Sequence, residues 1–164
     1  MKRYLNLYAY YMKNNFKSLM MYRVDFLVGS IGFVITMVGL LISLFVIFQF
    51  VDQLGGWNQN EILILFAFVS LARALWDTFM YNMIFLEQKI KTGQLDILLT
   101  RPVNPLFQLI AEKWDPDTVG EVFFSLILFV ICGVRVGIFD DLFFWISFPF
   151  LLISSILCFA AIHL

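Results

Sequence analysis

Charged side chains are scarce in this sequence. Only 14% of the 164 residues are charged, whereas 62% are hydrophobic and the mean hydropathy is +0.88. A soluble domain typically has about 25% charged and about 45–50% apolar residues. So short a chain cannot hide the excess in a core, because a small protein leaves too much of its surface exposed. We therefore expect lipid, rather than water, to surround most of the protein.

Residue types that commonly carry chemistry are also few. Cys132 and Cys158 lie in separate apolar runs without metal-ligand spacing, which favours small membrane-buried residues over a disulfide or a metal site. The only histidine, His163, is one residue from the end of the sequence. We find no G-x-x-x-x-G-K-S/T phosphate-binding motif and no Ser/His or Cys/His pairing. We therefore predict that the chain is not an enzyme and binds no cofactor or metal itself.

Four apolar runs are long enough to cross about 30 Å of hydrocarbon as helices. They cover residues 24–50, 62–86, 119–139 and 142–162, and the last contains Pro149, which we expect to bend it. The sequence thus predicts an all-α fold, a polytopic transmembrane helix bundle that forms one domain with four visible spans.

Lys and Arg are absent from residues 51–61, and only Arg135 lies near the connection between the last two spans. Five of them precede the first span and four lie in the loop 87–118. The positive-inside rule therefore places the N-terminus and this loop in the cytoplasm. The formal net charge of −1 gives no indication of a nucleic-acid partner, and we expect none.

Residues 1–22 are too polar to span a bilayer. Tyr4, Leu7, Tyr8 and Tyr11 recur at helical spacing among basic residues. This pattern predicts an interfacial amphipathic helix with aromatic rings at headgroup depth. The alternative is an ordinary basic flank that only fixes topology.

Two charges interrupt the second span. Arg73 and Asp77 are four residues apart and so lie on one face of a helix. Each costs about 2.5–3.5 kcal/mol at the centre of a membrane helix, so we expect them to pair and to face protein or a wet cavity. In one interpretation, the two residues border a translocation path or a polar belt that changes partners during a conformational cycle. In the other, they form a static ion pair that fixes the rotation of the helix in the bundle.

Small residues form a stripe along the first span. The stripe consists of Gly29, Gly32, Thr36, Gly39 and Ser43. Small residues let another helix approach closely. We interpret the stripe as a packing surface inside the bundle, with a contact between two copies of the protein as the alternative.

The loop 87–118 is the longest polar interruption of the apolar pattern. Gly93 and Pro102 leave room between them for one or two helical turns, which would present Leu95, Leu98 and Leu99 on one face. Such leucines can enter a groove on a partner, and Asp96 and Arg101 can fix its orientation by charge-assisted hydrogen bonds. The alternative is an interfacial or re-entrant segment that only stabilises the bundle. A second surface helix, with apolar residues that include Phe107, Leu109, Ile110 and Trp114, is expected to follow and to end before Pro116.

The same loop carries an ordered motif. It reads Gly93-x-Leu95-Asp96-x-Leu98-Leu99-x-Arg101-Pro102-Val103-Asn104-Pro105-Leu106-Phe107. This pattern resembles the cytoplasmic-loop signature of ABC-2-type transporter permeases, and most closely the small bacterial branch with about six spans. The resemblance implies that the loop is a coupling helix that sits on a separate ATP-binding cassette subunit. The coupling residues carried over are Gly93, Asp96, Leu98, Leu99, Arg101, Pro102 and Asn104.

The resemblance also implies a function, which is that of a permease subunit of an ATP-driven exporter in the bacterial cytoplasmic membrane. Two permease subunits, identical or different, would pair with two ATPase subunits that bind the ATP and Mg. The sequence ends at Leu164 without an anchoring polar flank, so we expect the N-terminal two-thirds of a longer permease, or a four-span protein. A passive channel and a membrane scaffold that recruits a soluble partner are the alternative functions.

Overall fold

The computed structural model describes residues 2–113 and 115–162, with side chains from Tyr4 onward. Our interpretations of Trp114 and His163 lie outside the described residues. Over these ranges the backbone forms helices and turns, with one isolated bridge between Leu54 and Trp57 and no strand. The all-α prediction is confirmed.

The helices follow one another with short connections. They are α1 (Lys2–Met21), α2 (Arg23–Phe50), α3 (Gln59–Met80), α4 (Leu86–Lys91), α5 (Gln94–Leu99), α6 (Pro105–Glu112), α7 (Val119–Val136) and α8 (Leu142–Ile162). Short 3-10 helices cover Tyr81–Phe85 and Ile138–Asp140. Four helical stretches are long and apolar enough to cross a membrane, which confirms the prediction of a four-span bundle: α2, the stretch from Gln59 to Lys91, α7 and α8.

The helices α3 and α7 form the centre of the bundle. Ala67, Ala72 and Ala74 on α3 have no exposed surface. Their small side chains allow the neighbouring helix to approach closely, so dispersion contacts rather than a hydrophobic effect hold the pair together in lipid.

An aromatic cluster joins α8 to this central pair. The ring centroid of Phe148 on α8 lies 6.0 Å from that of Phe68 on α3 and 5.5 Å from that of Phe129 on α7. The outer surfaces of α2 and α8 are otherwise largely exposed, as expected for helices that face lipid. Pro149 lies inside α8, which continues through it.

Local signals explain where the helices end. Gly137 takes a left-handed conformation (φ 77°) that ends α7 at Val136, before residue 139, where we expected the span to end. Asn58 and Glu61 form a capping box at the start of α3, and the Glu61 carboxylate accepts a hydrogen bond from the Asn58 backbone N–H at 2.8 Å. These devices satisfy backbone groups that would otherwise be exposed at helix ends.

Candidate functional site

Three short helices, α4, α5 and α6, connect α3 to α7, and we call them the surface module. Gly93, with φ 73°, makes the turn between α4 and α5 in a conformation that favours glycine. The Asn104 side chain caps α6 and accepts hydrogen bonds from the backbone N–H groups of Leu106 (2.9 Å) and Phe107 (3.3 Å), with Pro105 at the first helical position. The glycine, the prolines and the asparagine of the motif thus shape the backbone of the module.

The apolar side chains of α5 point in two directions. Leu98 is 5% exposed and Leu95 is partly buried, so both face the protein itself. Leu99 is 60% exposed and Ile97 is 57% exposed, and both face outward. The outward apolar surface of α5 therefore combines Leu99, which the sequence predicted as an anchor, with Ile97, which was not among the predicted anchors.

The polar and turn residues of the motif surround this surface. Asp96, Arg101, Pro102, Gly93 and Asn104 are all exposed. These residues are accessible to another molecule, whereas Leu98 is buried against other residues of this chain.

The surface module is held firmly to the end of α3. The Asn82 amide, 4% exposed, donates a hydrogen bond to the Leu109 carbonyl on α6 at 2.6 Å. Lys89 Nζ on α4 forms an ion pair with Glu112 Oε2 on α6 at 2.9 Å. The first bond joins α6 to the 3-10 helix that directly follows α3, and the second joins the first and last helices of the module.

A second connection lies where the loop enters α7. The hydroxyl groups of Thr78 and Thr118 are 2.7 Å apart, and the backbone N–H of Asp115 donates to the Thr78 carbonyl at 3.2 Å. Burial raises the pKa of the Asp115 carboxyl, and burial together with the nearby charge of Asp25 raises the pKa of Asp117. The polar end of the loop is thus packed against the bundle.

The structure brings Arg73 and Asp77 together on α3. Arg73 Nε donates to Asp77 Oδ2 at 3.3 Å, and the two side chains are 45% and 17% exposed. An ion pair within one helix reduces the cost of placing two charges inside the membrane region.

Glu121 is a third ionisable residue near this pair that sequence reasoning missed. It lies in the first turn of α7 and has no exposed surface, and both of its carboxyl oxygens lack a hydrogen-bond donor among the described residues. It lines the same groove as Arg73. A signal was present in the sequence, because Glu121, Ser125 and Phe129 are spaced four apart and form the buried face of α7.

A groove of about 390 Å³ opens between α2 and α3 beside these charges. Its lining is apolar except for Ser70, Arg73 and Glu121. The charged end of the groove therefore lies at the α3–α7 contact, and the remainder faces the hydrocarbon region.

The small-residue stripe of α2 faces away from the bundle. A Cβ atom added at Gly32 or Gly39 would have no other atom within 4 Å, and the Thr36 and Ser43 side chains are exposed. Gly29 is the exception, because a Cβ there would lie 2.5 Å from the Asp117 carboxyl carbon. Within the described residues, most of the stripe is thus available to a partner outside this chain.

The chain is similar to one known family. A family model described as an ABC-2 family transporter protein matches residues 33–164, which is more than three quarters of the sequence. No curated protein and no solved structure matches the chain significantly.

Proposed function

Because the chain belongs to the ABC-2 family of transporter proteins, and so is a multi-pass permease subunit of an ABC transporter, we propose that its surface module couples ATP hydrolysis in a separate ATPase subunit to export across a bacterial cytoplasmic membrane. The observation that carries this proposal is the outward apolar surface of α5, held on a module that is hydrogen-bonded to the 3-10 helix directly after α3. This chain would contribute the membrane path, and the partner would bind ATP and Mg.

The exposed side chains of the module suit contact with a soluble protein. Ile97 and Leu99 supply an apolar centre, and Asp96 and Arg101 flank it with one charge of each sign. Apolar anchors contribute affinity when a groove buries them, whereas peripheral charges mainly set orientation. A docked ATPase would bind α5 through these residues.

Movement of the docked surface module would be transmitted to the membrane helices. The hydrogen bond from Asn82 to the Leu109 carbonyl links α6 to the 3-10 helix that directly follows α3, and α3 carries Arg73 and Asp77. When two ATPase subunits close on ATP, the rigid module would tilt α3 against α7 and change access to the groove beside Arg73. Arg73 and Asp77 would then border the translocation path.

A second permease copy would complete the assembly. The outward stripe of Gly32, Thr36, Gly39 and Ser43 offers a close-packing surface on α2. A copy bound there would stand next to the groove, so the path would lie between the two subunits.

Co-purification tests the docking surface. We expect Leu99→Asp to reduce recovery of the ATPase encoded beside the permease gene by about tenfold or more, because burial of a leucine contributes about 1.5–3 kcal/mol. Leu99→Met, which keeps the position apolar, should retain the ATPase. Unchanged recovery with Leu99→Asp would contradict the proposal.

Two further measurements separate the alternative functions. Ion conductance of the purified protein in a bilayer without ATP would indicate a channel. An ATPase that binds, but whose turnover is the same with and without the membrane subunit, would indicate a scaffold.

A further inference from the structure

Glu121 is placed where a carboxylate is costly. It is fully buried at the contact of α7 with α3, and its two oxygens receive no hydrogen bond from the described residues. A buried charge is stable only when it is paired and hydrogen-bonded. Arg73 lies close enough to attract it, but the Arg73 Nε–H is directed to Asp77.

The carboxyl group of Glu121 has no partner at this point. Arg73 and Asp77 compensate each other as an ion pair. Glu121 is left without a hydrogen-bond donor among the described residues, at the end of a groove whose other lining is almost wholly apolar. A cation that binds there stabilises the ionised form of this carboxyl group. Charge complementarity therefore favours a ligand with a single positive charge and an apolar body.

The shape of the groove agrees with such a ligand. Its α3 wall runs from Ile62 to Arg73, which is about 16 Å at 1.5 Å per residue. Leu40 and Leu44 form the opposite wall on α2. A chain of about a dozen carbons fits this length and would contact hydrocarbon side chains throughout.

We propose that the groove between α2 and α3 binds an amphiphile with a protonated amine, whose N–H groups donate hydrogen bonds to Glu121 and whose apolar chain lies along Leu40, Leu44 and Leu65. This assignment rests on the proposed function, since it names the class of cargo for that path. A protonated amine supplies both the positive charge and the donors that the Glu121 oxygens lack. An anionic amphiphile would supply neither the positive charge nor the donors.

Photo-labelling of the full-length protein tests the site directly. The probe is dodecylamine with a diazirine at the chain end, added to nanodiscs of phosphatidylcholine at pH 7, where the amine is protonated. We expect labels on α2 and α3 that unlabelled dodecylamine displaces, whereas dodecanol and dodecyl sulfate do not. Equal displacement by the three compounds, or preference for the sulfate, would overturn the proposal.

Variants distinguish the contribution of the Glu121 carboxyl group from that of the shape of the groove. Glu121→Gln should weaken displacement by dodecylamine tenfold or more, and Asp140→Asn, an exposed carboxylate in the connection before α8, should leave it unchanged. Val69→Trp, which fills the groove without altering a charge, should abolish labelling even if Glu121→Gln fails to fold. Full labelling of Val69→Trp would place the ligand elsewhere.

Two further comparisons identify the source of the amine and distinguish the ligand proposal from the proposal that α5 docks on an ATPase. If phosphatidylethanolamine in the nanodisc suppresses labelling, the ligand is a membrane aminolipid and the assignment to a free amine cargo is wrong. Labelling is measured without the ATPase, so Leu99→Asp should not change it. ATPase recovery that Leu99→Asp leaves unchanged, together with intact labelling, would refute only the coupling proposal. ATPase recovery that depends on Leu99, together with labelling that dodecylamine does not displace, would refute only the ligand.

Discussion

Asn82, a buried polar side chain in the 3-10 helix after α3, connects the surface module to the membrane helices. Its amide reaches the Leu109 carbonyl, a backbone group inside α6 that would otherwise be paired only within its own helix. The contact joins segments that are 27 residues apart in the sequence. Its removal should therefore loosen the module without changing the exposed surface of α5.

Asn82→Ala should lower the free energy of unfolding by about 1–3 kcal/mol, because a buried hydrogen bond is lost and its acceptor remains. Titration with a denaturing detergent, followed by circular dichroism, measures the change. Asn60→Ala at the start of α3 is the control, since Asn60 is exposed. Similar losses for the two variants would show that the Leu109 contact contributes nothing specific.

Leu98 and Leu99 are adjacent on α5 but differ in burial. Apolar spacing predicted both as members of one face, whereas in the structure Leu98 is buried and Leu99 is exposed. A helix of six residues has too few turns for its periodicity to define which face is covered. The packing of α5 against the rest of the module decides the orientation.

At the scale of helices, the contact between α2 and α7 depends on a glycine. A Cβ at Gly120 would lie 2.8 Å from the Ser30 carbonyl oxygen and 3.0 Å from the Ser30 Cβ. The first of these neighbours is backbone and cannot move without displacing α2. The close approach of the two helices therefore requires the absence of a side chain at this position.

Gly120→Ala should destabilise the protein by about 1–3 kcal/mol through overpacking. The thermal midpoint of the purified protein in detergent reports the effect. Gly39→Ala, which has open space around the added methyl group, should leave the midpoint nearly unchanged. If Gly120→Ala were as stable as Gly39→Ala, the α2–α7 contact would be looser than described.

For the molecule as a whole, the outward stripe on α2 predicts where two copies meet. Thr36 lies on this stripe and is exposed, whereas its neighbour Met37 is 2% exposed inside the bundle. A disulfide requires Cα atoms about 4.4–6.8 Å apart, so it reports close contact between copies.

In a variant without Cys132 and Cys158, Thr36→Cys should give a disulfide-linked dimer of most of the protein under mild oxidation in membranes. Met37→Cys should remain monomeric under the same conditions. Non-reducing gel electrophoresis separates the two outcomes. Cross-linking at Met37 but not at Thr36 would place the contact between copies on another surface.

The all-helical fold and the four membrane-length helices follow from hydropathy and length, which accumulate along each helix and need no knowledge of its neighbours. The pairing of Arg73 with Asp77 is likewise predictable from the sequence, since four-residue spacing is local geometry. Tertiary packing, in contrast, sets the position of Glu121 beside this pair, the inward direction of Leu98 and the exposure of most of the α2 stripe. Each of these depends on the rotation of a helix about its own axis, which contacts between distant segments set.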